Sequence, residues 1–264
     1  MQLLDNEHQL PYPAAMTLKP RLTASGIHLL ISIGTTALLF ILAIKIWYPK
    51  PFDILAGGDA LIALLAACDI TLGPLLTLVI FNNQKTRNEL RRDLSIIAFI
   101  QIIALGYGLT SIYHARPVYI VYNAGQFNVL RASTLPSKSY TELPNDIPPP
   151  SLSGPAVIAA TQPKTEAARD RIMISAAMGG ADIYEIPRYF VSYSSVQKEV
   201  ASQALSPQQF SRIHGGNVAK LKKLLTDKEF SKNEYGILPV VIGRKFGIAV
   251  IHRRDGLIAS FQSI

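Results

Sequence analysis

ALIALLAACDITLGPLLTLVIF, Ala60 to Phe81, is apolar and long. At ~1.5 Å of rise per residue it matches a bilayer core roughly 30 Å thick. Two features interrupt it. Asp69 stands near the middle, where an ionised carboxylate costs at least ~2.5–3.5 kcal/mol on insertion scales. Gly73-Pro74 follows one turn later, removing a backbone donor and loosening the helix. A carboxylate at such a depth is by default a functional residue and needs a partner. Gln101 lies about midway through a later apolar run, so antiparallel pairing brings it to similar depth. Thr71 is another neighbour. A hydrogen bond inside the bundle and a contact with a polar or cationic group on another membrane helix both remain open. Asp69, Gly73, Pro74 and Gln101 are therefore the candidate contact residues.

Two more apolar runs flank this one. Ile27 to Ile44, extended by Trp47 and Tyr48, is too long for a signal peptide and lacks a small-residue cleavage pattern. Its Trp-Tyr pair reads as an interfacial anchor, and His28 as an interfacial residue. Leu94 to Ile112 carries Gln101, with Tyr107 and Tyr113 toward its end. Three membrane helices follow from this. Lys19 and Arg21 precede the first, and Lys85, Arg87, Arg91 and Arg92 separate the second from the third, so the N-terminus is expected in the cytoplasm. Residues 1–26 are the tail, 27–113 the membrane region and 114–264 a domain on the far side, the periplasm of a Gram-negative cell.

The net charge is +8. Beyond His114 the chain holds 18 basic and 11 acidic residues, interleaved. That describes a mildly basic solvated surface and, with no recognisable binding module, excludes nucleic acid as the expected partner. Cys68 is the single cysteine, so no internal disulfide or cysteine-based zinc site can form. Arg116-Pro117 marks the membrane exit. Val118–Tyr122 and Gln126–Ala132 form a hairpin around Asn123-Ala124-Gly125. Ser133–Pro155 is expected to be an extended surface loop. Thr165 is placed to cap a helix from Glu166. Ser206-Pro207-Gln208-Gln209 is a capping box with proline in the first turn. The three closing runs, Leu238–Ile242, Ile248–His252 and Leu257–Phe261, read as an antiparallel meander with an Asp255-Gly256 turn. The expected fold is a membrane-anchored α+β protein: three transmembrane helices, then a periplasmic domain with an antiparallel meander and short helices.

No catalytic motif stands out: no nucleophile elbow, P-loop, zincin pair or dinucleotide fingerprint. His114, His214 and His252 lack ligand spacing. Catalytic, cofactor and metal residues are expected to be none. From the residues alone, a non-enzymatic membrane protein and a membrane-anchored periplasmic enzyme or ligand sensor both stay open.

CDITLGPLLTLVIFN, Cys68 to Asn82, resembles the signature of the TfpX/TfpZ family of type IV pilin accessory proteins. LLISIGTTALLFILAIKIWYPKPF resembles that family's first span. The Arg-Pro-Val-Tyr junction from Arg116 and LPVVIGRKFGIAVIHRRDG resemble its domain entry and closing strands. The resemblance implies an inner-membrane chaperone or accessory that helps to assemble pili from a major pilin, with pilin and membrane lipid as partners and no cofactor. It carries Asp69, Gly73 and Pro74, with Arg116 and Pro117 at the exit, and no catalytic residue.

Overall fold

A computed structural model describes residues 18–52, 58–82, 85–135, 137–215, 217–227, 230, 234–243 and 245–263. The expected tail with Pro11 and Pro13, the centre of the first loop (53–57), Gly216 and Arg244 lie outside the described residues. The chain divides into two compact units, described separately: one from Met1–Leu39 and Leu64–Gly108, the other from Phe40–Ala63 and Leu109–Ile264.

The first unit holds most of three helices, α1 (Leu18–Trp47), α2 (Gly58–Ile80) and α3 (Arg87–Ala115), whose turns at 40–47, 58–63 and 109–115 belong to the second. Helix α1 extends well before Ile27, through Pro20 to Leu18. A capping box opens α3: the Glu89 amide donates to Thr86 Oγ1 (3.3 Å) and the Thr86 amide to Glu89 Oε2 (2.9 Å). Lys85 closes α2, donating to the Ile80 carbonyl at 3.1 Å while pairing with Asp93 at 2.6 Å. Polarity in this unit is inverted. Ser32, Thr36 and Thr77 are buried, whereas Leu30 and Val79 are each 71% exposed.

The expectation of three transmembrane helices is not met. Among the described residues two helices, Leu18–Trp47 and Arg87–Ala115, are long and apolar enough to cross a membrane. The described apolar stretch of the third is Ala66–Ile80. It rises only about 21 Å, short of a core roughly 30 Å thick.

The second unit holds a seven-stranded sheet. Its strands are β1 (Pro117–Asn123), β2 (Gln126–Arg131), β3 (Ala156–Ala160), β4 (Phe190–Ser192), β5 (Tyr235–Ile242), β6 (Lys245–His252) and β7 (Ile258–Ser263), in the order β4-β3-β1-β2-β5-β6-β7. The closing meander forms, with β5–β6 and β6–β7 antiparallel. The sheet as a whole is not antiparallel as expected: β1 pairs β3 in parallel, and β2 pairs β5 in parallel. The sequence signals hairpins, which are antiparallel by construction. The two parallel joins unite segments far apart in the chain and have no turn to announce them.

Both faces of the sheet are covered. On one, Tyr119, Leu130 and Ile158 pack beneath Leu135 and Ile147, and Tyr119 donates to the Pro148 carbonyl at 2.6 Å. The proline-bearing segment 133–155 is therefore a cover for the core, not the extended surface loop its composition suggests. Further along the same face, α6 (Pro207–His214) and α7 (Val218–Asp227) set Phe210, Leu221 and Leu225 on Ile237, Ile248 and Val250. Ser206 caps α6 as expected: the Gln209 amide donates to its Oγ at 3.3 Å, and its own amide donates to Gln209 Oε1 at 2.9 Å. The Asn217 side chain caps α7. On the other face, Phe52, Phe127 and Phe261 form an aromatic cluster. There Tyr122 bonds Glu199 and Gln203 of α5 (Gln197–Gln203). Helix α4 (Glu166–Ala177) buries no residue, and Thr165 at its start makes no side-chain cap bond.

Candidate functional site

On α2 the spacing of Asp69, Gly73 and Thr77 is i, i+4, i+8, which sets all three on one face. Leu72, Leu75 and Val79 face away and are exposed. On α1, Ser25, His28, Ser32 and Thr36 share a face by the same periodicity. Helix α3 contributes Gln101 from the stripe that includes buried Ile97.

These residues form one hydrogen-bonded chain. Thr36 Oγ1 donates to Asp69 Oδ2 at 3.0 Å, and Gln101 Nε2 donates to Asp69 Oδ1 at 3.3 Å. The amide oxygen of Gln101 accepts from His28 Nε2 at 2.8 Å, and His28 Nδ1 pairs with Thr77 Oγ1 at 2.6 Å. Asp69 and Gln101 are thus partners, as the depth argument expects. Thr71 is not: its hydroxyl returns to the Ala67 carbonyl of its own helix. Gly73 makes the approach possible. A Cβ there would overlap Gln101 Nε2 and stand 3.0 Å from His28 Nε2. Pro74 has no N–H, and its carbonyl accepts from Ser25 Oγ at 2.8 Å. The polar chain therefore joins all three helices.

A cavity of about 490 Å³ adjoins this chain. Its walls come mostly from α1 and α3, with apolar Ile31, Ala98, Ile102 and Leu105. Asp69, Gln101 and His28 line it too. Among the described residues no cluster of His, Cys, Asp or Glu is arranged to hold a metal. What the arrangement offers is acceptor oxygen, one carboxylate included, inside an apolar surround.

Arg116 and Pro117 belong to the second unit. Arg116 is buried. Its Nη1 donates to the Tyr113 carbonyl at 2.8 Å, and its guanidinium lies 3.7 Å from the centre of the Tyr113 ring. Tyr113 meets Trp47 edge-on at 5.4 Å, and Tyr48 donates to the Ile112 carbonyl at 2.8 Å. Pro117 opens β1 opposite Arg131. The sequence reading missed His28, Thr36 and Thr77 as members of the polar chain. Their i, i+4 register was the available signal. His28 near the start of an apolar run was read as interfacial because hydropathy locates a residue along a helix but not around it.

A fimbrial assembly protein of serogroup I from Dichelobacter nodosus is 33% identical over 233 residues, 86% of this chain and 88% of its own length. The chain belongs to the fimbrial assembly protein family. A serogroup E1 fimbrial assembly protein of the same organism is 31% identical over the same shares of each chain. Another, of serogroups C1 and C2, is 42% identical over 106 residues, 40% of this chain and 81% of its own length. The family described as "Fimbrial assembly protein FimB" matches residues 16–57, a stretch that includes Ser25, His28, Ser32 and Thr36. No solved structure matches. The family is described by assembly and not by a reaction, which agrees with a non-enzymatic protein.

Proposed function

We infer that this fimbrial assembly protein is an inner-membrane accessory of type IV pilus assembly, of the TfpX/TfpZ kind, that binds the major pilin and presents it for polymerisation. The observation that carries this is the inverted first unit: apolar side chains outward, a polar chain inward, and an acceptor-lined cavity beside Asp69. Large exposed apolar faces suit a lipid surround and are rare on soluble monomers. A pilin before assembly resembles a single apolar helix in the membrane with a folded head outside it. The cavity suits that helix. The sheet-bearing unit, a folded domain that follows α3, suits the head. Binding one state of the subunit stabilises that state by mass action.

In-cell photocrosslinking tests the assignment. The crosslinker is placed at Ile102 on the cavity wall and, separately, at exposed Ala259 on β7. Capture of pilin from both positions is the expected result. Capture of pilin from neither removes the assignment, and capture at Ala259 alone confines binding to the second unit.

A further inference from the structure

We propose that the cavity beside Asp69 receives the N-terminal turn of an apolar helix, with Asp69 accepting from its free α-ammonium group. The proposal deepens the pilin-binding function inferred above and rests on it for the identity of the partner, not for the chemistry.

Two observations converge on that occupant. The first is charge. Asp69 is met by two neutral donors, Thr36 at 3.0 Å and Gln101 at 3.3 Å, and no cationic side chain bonds it among the described residues. A carboxylate in an apolar surround gains most from an added positive charge, since burial weakens screening. The second is the surplus of acceptors. A helix N-terminus brings an ammonium group and unpaired backbone N–H groups together, with the positive end of its dipole. Asp69 and the hydroxyl oxygens of Ser32, Thr35 and Thr77 line one cavity. Both carboxylate oxygens keep lone pairs beyond the bonds they already accept. The cavity, about 490 Å³, runs along about three turns of α1, from Ala24 to Thr35, and of α3, from Leu94 to Leu105, so it has room for a helix's first turns as well as its end. Ile31, Ala98, Ile102 and Leu105 supply the apolar wall against the turn's side chains.

The full chain in lipid nanodiscs, with p-benzoylphenylalanine at Ile102, tests this against synthetic apolar helices of about 20 residues. One peptide has a free N-terminus and one is N-acetylated. A third is acetylated and carries its single amine on a mid-helix lysine. The free-amine peptide is expected to bind on the order of tenfold to a hundredfold tighter than the acetylated one, the cost of leaving a buried charge without its partner. The lysine peptide should bind like the acetylated peptide. Asp69→Asn, nearly isosteric, should erase the preference, and Asp69→Glu should restore part of it. Equal labelling by free and acetylated peptides overturns the proposal, as does a preference that survives in Asp69→Asn. Tight binding of the lysine peptide overturns the helix-end assignment. The two failures separate cleanly. Pilin captured in cells at Ile102 with no amine dependence in nanodiscs leaves the pilin assignment standing without this proposal. Amine-dependent peptide binding without pilin capture does the reverse.

Discussion

Replacing Gly73 with alanine tests whether the helices are locked by the polar chain or by apolar packing. In an ordinary helix the change is favourable by about 0.8–1.0 kcal/mol, because glycine carries the larger conformational entropy. Here the new methyl overlaps Gln101 Nε2 and stands 3.0 Å from His28 Nε2. Gln101 must leave, and with it go its bonds to Asp69 (3.3 Å) and His28 (2.8 Å). A neutral hydrogen bond is worth about 0.5–1.5 kcal/mol and one to a charged group about 1.5–3, so about 2–4 kcal/mol is lost. After the propensity gain, Gly73→Ala should destabilise the first unit by roughly 1–3 kcal/mol.

The decisive arm is the second background. Gln101→Ala forfeits the same bonds but opens the space in which the methyl of Gly73→Ala would sit. On that background Gly73→Ala should stabilise, by up to about 1 kcal/mol. The four proteins of the cycle are unfolded in detergent micelles by titration with sodium dodecyl sulfate, followed by circular dichroism at 222 nm. The expected signature is a change of sign between backgrounds. If Gly73→Ala costs the same with and without Gln101, the approach of Gln101 over Gly73 does not limit packing, and the structural argument for the motif fails.

The remaining expectations concern the second unit. Gly256 has φ of +73° and its missing Cβ would strike the Gln197 carbonyl. Gly256→Ala should therefore lower stability by roughly 2–4 kcal/mol; a thermal midpoint in detergent matching wild type would contradict this. Ser206→Ala removes the cap to the Gln209 amide and should cost about 1 kcal/mol. Hydrogen exchange should accelerate in α6 before it does in the meander, and uniform protection would count against the cap. Burial first, and Tyr140 second, push the Tyr119 phenol from 10.0 up to about 12. Burial also raises Tyr122 and Tyr193. A folded-state pKa above the unfolded value contributes stability that is complete below about pH 10 and is lost as pH rises through about 12. Melting temperature should thus fall between pH 10 and 12, less steeply in Tyr119→Phe. Free ionisation of every tyrosine near pH 10, followed by absorbance at 295 nm with no loss of stability, would refute it.

What the sequence made legible was local. The capping box at Ser206, the Asp255-Gly256 turn and the closing hairpins depend on contacts a few residues apart, and each formed where its residues said. What stayed hidden was long-range. Nothing in β2 announces that it lies beside β5 in parallel, and nothing in segment 133–155 announces that Leu135 and Ile147 cover Tyr119 and Ile158. Composition read that segment as solvated because prolines dominate it, yet two buried aliphatic residues decide where it lies. At the candidate site the split falls the same way. Asp69, Gly73 and Gln101 were legible because each is anomalous in an apolar run. His28 and Thr77 were not, because one lies at the edge of its run and the other passes for an ordinary small residue.

The polar chain also explains why the motif takes the form it does. Fixing three apolar helices against one another by apolar packing alone leaves their rotation weakly determined, since one leucine ridge resembles the next. A chain from Thr77 through His28 and Gln101 to Asp69 and Thr36 is complete in one rotational setting. Turning α2 by a single residue, about 100°, would strand Asp69 in apolar surroundings at a cost of several kcal/mol. Gly73 then follows from Gln101, because the side chain that bridges His28 to Asp69 passes over α2 where a Cβ would stand. Pro74 fits the same place: it adds no donor to be satisfied, and its carbonyl takes the Ser25 hydroxyl. The Asp-x-x-x-Gly-Pro-x-x-Thr pattern of α2 is thus one device read from three residues, a charge that must be matched, a gap that admits its partner, and a hydroxyl that ends the chain.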